Sequence, residues 1–450
     1  MALASAFATP LAARADASAG ALTLGEAVSR ALAASPRSTA FREHETAARL
    51  EARAASLSRL PRVALGLEAR RADHPVHVFG SLLAQEAFGQ SDFGTIDPVT
   101  GSFDLDPLNR PDPHTNVRAS VTLRQTLWTG GAVTGRLDGL RAGAEGVSGR
   151  ARRDRQRLAY DTEAAFRRTL LAEQRLDLLR ENLAAARRHA ESVSHLHEEG
   201  LALGADRRAL EAQVAEAEAR LEGARADSVA ARSYLGLLLG ADAPVARPLA
   251  DPGPPPERDL PALDEAVARA ELRADVRAAI GDRAAARAHR KIAVSRMLPD
   301  LELAVGIEHN SETAFGTGGS QWMVGLGARM ELDAGVPSAI RSASAETRAA
   351  DARLDQVWTR ARHEIAVAYA GVETARRRFL ALRAAEVAAA ESHRLTEERH
   401  REGLATTLEL IESRNSWTRT RLAAVEAIHD AALARSALDL ATGAAVEEEN

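Results

Sequence analysis

His197-Glu198-Glu199-Gly200-Leu201-Ala202 returns as His400-Arg401-Glu402-Gly403-Leu404-Ala405, changed only at its second residue. Each copy lies between two long stretches rich in Ala, Leu, Glu and Arg, a composition typical of long helices. Each copy therefore reads as the tip of a helical hairpin, with its glycine as the residue that ends the incoming helix. A long hairpin that occurs twice is already a statement about architecture.

The flanks of the first tip have the spacing of a coiled-coil seam. Leu176, Leu179, Leu183, Ala186, Ala190, Val193 and His197 follow one another at alternating three and four residues, which keeps one narrow stripe on one face. The spacing predicts one helix from about Thr134 to His197. After the tip, Leu210, Val214, Ala217, Leu221, Ala224, Ser228, Ala231, Leu235 and Leu238 carry the same rhythm back over 206–239, and Gly240 closes the return helix. In the second half, Trp358, Ala361, Ile365, Ala368, Val372, Ala375, Phe379 and Leu382 define a matching helix from about Pro337 to Arg401.

Upstream of each long helix the period drops from 3.6 to 2. Val63, Leu65, Leu67 and Ala69 alternate with Arg62, Ala64, Gly66, Glu68 and Arg70 after Leu60-Pro61. Val117, Ala119, Val121, Leu123 and Leu127 alternate with Arg118, Ser120, Thr122, Arg124 and Thr126 before Gly130-Gly131. Leu301, Leu303, Val305 and Ile307 after Leu298-Pro299, then Trp322, Val324, Leu326, Ala328, Met330 and Leu332, repeat the pattern. Four strands, each with one apolar face, are predicted. Residues 73–115, rich in Asp, Pro, Gly and Phe, read as a long loop with a short helix near Gly80–Phe88. Each strand pair is preceded by helix: Leu24-Gly25-Glu26-Ala27-Val28, with Thr23 as N-cap, returns as Leu263-Asp264-Glu265-Ala266-Val267.

The offsets make this one internal duplication. Pro61 and Pro299 are 238 residues apart, Leu127 and Leu332 are 205 apart, and Gly200/Gly403 and Gly240/Gly443 are both 203 apart. The hairpins are nearly gapless copies, and the first half carries about 33 extra residues between its two strands. The expected domain plan is a leader or disordered segment over 1–20, a first repeat over 21–240, a Pro-rich linker over 241–262, a second repeat over 263–443 and an acidic tail over 444–450. The leader reading rests on Ala13-Arg14-Ala15 before Asp16, which fits a signal-peptidase site, although no basic n-region precedes it.

Composition removes several classes of function. The chain of 450 residues has no cysteine, which excludes disulfides, thiolate metal sites and a thiol nucleophile. A net charge of −5 leaves no electrostatic footprint for nucleic acid. No apolar run reaches the roughly 18 residues of a membrane-spanning helix. No G-x-S-x-G, P-loop or H-E-x-x-H occurs. His195 and His197, two apart on a helix, point away from each other. His74 and His77 lie in a loop with Asp73 and are candidates for weak metal binding, but no metal cage or cofactor site is readable.

The remaining pattern sets two physical problems. A helix over 134–197 would span roughly 96 Å at 1.5 Å per residue, and its seam must be covered by other helices. Four strands cannot close a barrel alone, and an open edge cannot face lipid. Three chains would supply 12 strands and closure, with Gly306, Glu308, Gly325, Gly327, Arg329 and Glu331 on a polar lumen side. The competing reading is a soluble coiled-coil scaffold. It accounts for the hairpins and leaves the strands unexplained.

Leu22-Thr23-Leu24-Gly25-Glu26-Ala27 with Pro36, the Leu-Pro starts of both strand pairs, Gly130-Gly131 and the repeated Gly-Leu tips occur here in one order. Over about residues 22–443 the chain resembles the TolC-like outer-membrane efflux proteins. The resemblance implies a mainly α fold with a transmembrane β-barrel. Duplicated long α-helical hairpins and four strands per chain would trimerise into a 12-stranded barrel on a helical tunnel. It further implies a homotrimer in outer-membrane lipid with its tunnel in the periplasm, acting as a passive conduit of a tripartite efflux or type I secretion system. A periplasmic adaptor and an inner-membrane pump would be its partners. Gly200, Leu201, Gly403 and Leu404 match the turns where adaptor hairpins dock. Glu409 and Glu412 match carboxylates that ring the entrance, and Asp206 is the first-half counterpart of Glu409. His400 and Ala405 stand where relatives carry an aromatic residue and a latching arginine, so an entrance latch of that kind is not expected. His197 and His400 are candidate gate residues, because histidine titrates near neutral pH.

Overall fold

The computed structural model describes residues 20–96, 98–104, 106–200, 203–254 and 259–444. Leu201, most of the expected leader, residues 255–258 of the linker and nearly all of the acidic tail lie outside the described residues.

The first half runs α1 (Leu24–Ala34), α2 (Pro36–Leu57) and β1 (Arg62–Ala72). Then come α3 (Pro75–Ala84), α4 (Gln90–Phe93), β2 (Thr95–Ile96), β3 (Phe103–Asp104), α5 (Asp106–Asn109) and β4 (His114–Thr129). The hairpin follows as α6 (Ala132–Glu198) and α7 (Gly204–Leu238). The second half has α8 (Leu263–Ala268), a 3-10 turn over Arg269–Leu272, α9 (Ala274–Ser295), β5 (Asp300–Ser311), β6 (Gly318–Arg329), α10 (Val336–Arg401) and α11 (Thr407–Thr442). The expected helix starts are present. Thr23 caps α1 by accepting the Glu26 N–H at 3.2 Å, and Pro36 opens α2, where its missing N–H costs nothing.

Three expectations are corrected. The short helix of the long loop lies at Pro75–Ala84 rather than Gly80–Phe88, because Pro75 fixes the first helical φ. The strand expected from Trp322 through Leu332 is shifted to Gly318–Arg329, where its residues have partners on β5. Leu127 was expected in step with Leu123. The register instead shifts between Thr126 and Trp128, so that Trp128 pairs with Leu301 and Leu127 is the extra residue. A bulge of this kind is invisible to a period-2 pattern.

The chain forms two compact units that do not coincide with the repeats. One comprises 47–144 and 281–352, and its centre is an antiparallel sheet in the order β1-β4-β5-β6. Each repeat contributes one antiparallel pair, and β4–β5 joins the two. The pairing Leu65↔Val121↔Ile307↔Trp322 runs across all four strands on one face. That face is bare: Leu65 is 79% exposed, Trp322 77% and Leu326 71%.

The other unit comprises 145–280, 353–444 and the described residues before Ala47. It holds the packed seams. Leu176, Leu179 and Leu183 of α6 bury against Ala217, Leu221 and Ala224 of α7. Ala361, Ile365 and Val372 of α10 bury with Ala266, Ala270, Val276, Leu438 and Ala441. Leu22, Ala27 and Ala31 close over Ala165, Phe166, Leu235 and Leu239. Small residues on the seams allow close helix approach, and burial of each Leu or Ile is worth about 1.5–3 kcal/mol.

Candidate functional site: the hairpin tips and the polar face of the sheet

The second tip has two interlocking closures. The first is a helix C-terminus. The Gly403 N–H donates to His400 O at 3.0 Å and the Leu404 N–H to Arg399 O at 2.8 Å, the paired bonds of a Schellman motif. Gly403 has φ +72°, a left-handed conformation that costs a residue with a Cβ about 1–2 kcal/mol. Arg399 Nη2 adds a bond to Leu404 O at 3.1 Å, and His400 Nδ1 donates to Ala405 O at 2.9 Å.

The second closure is the start of α11. The Glu409 N–H donates to Thr406 Oγ1 at 3.2 Å, and the Thr406 N–H donates to Glu409 Oε2 at 2.7 Å. This capping box satisfies two otherwise unpaired amides. The Thr406 N–H, and then its hydroxyl, hold the Glu409 carboxyl below its ordinary pKa. Glu409 therefore stays ionised at the tip, but its carboxylate is already engaged. Glu412 is exposed one turn on.

The first tip keeps the glycine turn and has no capping box at the start of its return helix. The Gly200 N–H donates to His197 O at 3.0 Å, and Gly200 has φ +76°. Leu203, the counterpart of Thr406, caps α7 with no side-chain bond. Asp206 is half-buried in the first turn of α7. His197 lies beside the start of α7, its ring 3.6 Å from where a Cβ on Gly204 would stand. Leu404, beside Gly403, is 63% exposed, and Leu203, three residues after Gly200, is 71% exposed.

Sequence reasoning did not find the histidines behind the tips. His393 of α10 stacks on Trp417 of α11, with centroids 5.3 Å apart and planes 22° apart, and bonds Ser413 Oγ at 3.1 Å. His189 of α6, His400 and Arg414 border one small gap together with Leu210 and Leu410. Burial, then Arg414, pushes the pKa of both His189 and His393 down. Burial also lowers the pKa of Arg414 itself. Nothing in the seam spacing marks His393, because its burial depends on Trp417 arriving from the return helix. His74 and His77 approach each other at 5.3 Å between ring centroids, and no group of three metal-ligating side chains forms among the described residues.

In the sheet unit, the face opposite Leu65 and Trp322 is polar and cross-braced. Arg118 of β4 bridges Glu68 of β1 at 3.2 Å and Glu308 of β5 at 3.6 Å, and Arg70 joins Glu68 at 2.7 Å. The sheet thus has one apolar face without cover and one charged face. No helix among the described residues is long and apolar enough to cross a membrane, a statement that leaves β-barrels untouched.

Residues 267–444 match the family model described as outer membrane efflux protein. The match covers the second repeat, and the first repeat has the same element order. Over the second repeat the chain is similar to the outer membrane efflux proteins. No curated protein matches its sequence. Among solved structures, a membrane protein from Pseudomonas aeruginosa is similar, with a TM-score of 0.77 at 21% identity over 93% of both chains. The outer membrane protein VceC from Vibrio cholerae has a TM-score of 0.76 at 18% identity, over 93% of this chain and 96% of that one. The open state of the Neisseria gonorrhoeae MtrE outer membrane channel has a TM-score of 0.74 at 19% identity, over 93% and 88%. At these identities the likeness shows the fold: a mainly helical chain with four strands, as expected from the sequence.

Proposed function

We propose that this protein is an outer membrane efflux protein over its whole length and acts as a passive trimeric conduit of the outer membrane. The observation that carries the reading is the sheet. Its strands are 11 to 16 residues long, long enough for a tilted barrel strand. One face is uncovered and apolar, and β1 and β6 have one sheet neighbour each among the described residues. Bare leucines are costly in water, and unpaired strand edges are unusable in lipid. Closure of three sheets removes both problems at once: β6 of one copy pairs with β1 of the next, the apolar face meets lipid, and the Arg118 face lines a lumen. The same copies would cover the helical seams, with the hairpins in the periplasm.

The tips then form the periplasmic entrance. Gly200 and Gly403 have open space where a Cβ would stand, and a partner backbone can approach them closely. We assign docking of a periplasmic adaptor, itself bound to an inner-membrane pump, to Gly200, Leu201, Gly403 and Leu404. Asp206, Glu409 and Glu412 would ring the entrance in a trimer and raise the local concentration of cations. His197 and His400 remain gate candidates, although His400 already serves as a lock within its own tip.

Cell fractionation tests the conduit. The protein is expected in the outer-membrane fraction as a detergent-extracted trimer. Recovery as a soluble protein without detergent would leave a coiled-coil scaffold as the better reading. For docking, Gly403→Trp is expected to abolish crosslinking to the adaptor while the trimer persists; unchanged crosslinking would remove the tips from the interface.

A further inference from the structure

The extra residues of the first half do not hang free of the sheet. Helix α3 follows β1 at the end of the sheet opposite the strands' helical connections. Its face Val78–Leu82–Gln85, spaced four and three residues, turns towards the sheet: Val78 is 4% and Gln85 7% exposed. Gln85 Nε2 donates to Thr115 O at 2.9 Å and to Asn116 Oδ1 at 2.8 Å, while its Oε1 meets His114 Nε2 at 2.9 Å. The chain of amides continues across the strands. Asn116 Nδ2 donates to Asn310 Oδ1 at 2.9 Å, and Asn310 Nδ2 donates to Gln321 Oε1 at 3.0 Å. Gln321 Nε2 returns to α3 by donating to Ala84 O at 2.7 Å. A Cβ on Gly319 would overlap Ala84 O, so this approach of α3 to β6 requires glycine there.

The register places this network. Asn116, Asn310 and Gln321 lie on the same face as Arg118 and Glu308, opposite Leu65, Ile307 and Trp322. If the apolar face meets lipid, α3 is docked on the lumen side. Its opposite face, Val76–Gly80–Leu83, then looks away from the wall, with Val76 71% and Leu83 60% exposed.

We propose that α3 is a constriction built into the lumen, with Val76 and Leu83 facing the permeation path. The inference rests on the barrel reading above. An apolar step in a polar pore restricts the size of the permeant and disfavours hydrated ions by dewetting. The docked amides hold that step in place, because moving α3 away breaks the bonds of Gln85 to Thr115 and Asn116 and of Gln321 to Ala84 O. Three copies would set an apolar ring at one end of a lumen whose wall is otherwise charged.

The absence of cysteine makes the test clean. Trimers carrying Val76→Cys or Leu83→Cys are placed in planar lipid bilayers and treated with a bulky methanethiosulfonate. Single-channel conductance is expected to fall by roughly half or more, because a constriction dominates pore resistance, while the cysteine-free parent is unaffected. Complete modification shown by mass spectrometry with unchanged conductance overturns the proposal. Failure of the introduced thiol to react in the folded trimer overturns it too, since a pore-lining residue is water-accessible. Gln85→Ala with Gln321→Ala, which releases the helix, is expected to raise conductance; an unaltered value counts against the constriction. If neither the parent nor the released variant conducts, the barrel reading itself fails.

Discussion

The two repeats share a backbone and differ in how side chains secure it. At the tips, Gly200 and Gly403 have the same handed turn, but a capping box of Thr406 and Glu409 closes the start of α11, while α7 starts with no side-chain cap. Leu203 stands where Thr406 caps, so the first tip has the turn without the capping box. Behind the tips, His393 and Trp417 stack where the register of 203 puts Ala190 and Val214 in the first hairpin.

The contrast is larger at the far ends of the return helices. In the first repeat Arg37 meets Asp161 at 3.1 Å on the surface. Glu364, the counterpart of Asp161, instead meets Arg273, whose side chain is fully buried. Arg273 also binds Asp275 at 2.6 Å and donates to Ala441 O at 3.0 Å, closing the end of α11. Burial alone would lower the pKa of Arg273, but the bonds to Asp275 and Glu364 outweigh it and raise the value. Burial likewise works against the Asp275 carboxylate, and Arg273 still holds its pKa down. Duplication thus preserved spacing, while the energetic means of fixing each end diverged.

The largest expected effect breaks the contrast at Arg273. Arg273→Ala should cost about 3 kcal/mol, the low end for splitting a buried pair because Asp275 and Glu364 keep some contact with water. Arg37→Ala should cost less than about 1 kcal/mol. Unfolding midpoints of the detergent-solubilised protein would show it, and equal losses would erase the distinction. At the tips, Thr406→Ala should cost about 1 kcal/mol, and Leu203→Thr should gain somewhat less by building a box with Asp206. Hydrogen exchange at the first turns of α7 and α11 reads both changes.

The smallest expected effect is one of pH. His189 and His393 have lowered pKa values in the folded protein. Between those values and the ordinary histidine pKa of about 6.5, the unfolded chain binds more protons, so stability rises with pH there. Their contribution is complete above that ordinary value and is lost as pH falls below it. Arg414 adds to the effect by repulsion, and Glu397 opposes it. Acidification from neutral pH should therefore loosen exchange in α10 and α11 behind the second tip more than in α7. His393→Phe should reduce that difference. A pH-independent exchange pattern would remove the histidines from any switch.

Much of this was legible from residues alone. The seam through Leu176, Leu179 and Leu183 required helix, because only a 3.6-residue period puts those side chains on one face. Alternation at Val63, Leu65 and Leu67 required a strand with one apolar side. Gly200 and Gly403 required a turn, since a left-handed residue is least costly as glycine. The offset of 203 required a duplicated hairpin. These are local rules, and each acts within a few residues of its own position.

The features fixed by packing alone involve partners distant along the chain. Glu409 looked like a free carboxylate until the geometry of Thr406 closed on it. Arg273 carries no local mark, and its role exists only where α9, α10 and the end of α11 meet. The bulge at Leu127 follows from pairing with β5, and the seat of α3 follows from Gln85 and Gln321 being brought together across 236 residues. Periodicity reports which face of an element is apolar. It does not report which buried polar group will find which partner, because that energy is set by distances that exist only after the elements pack.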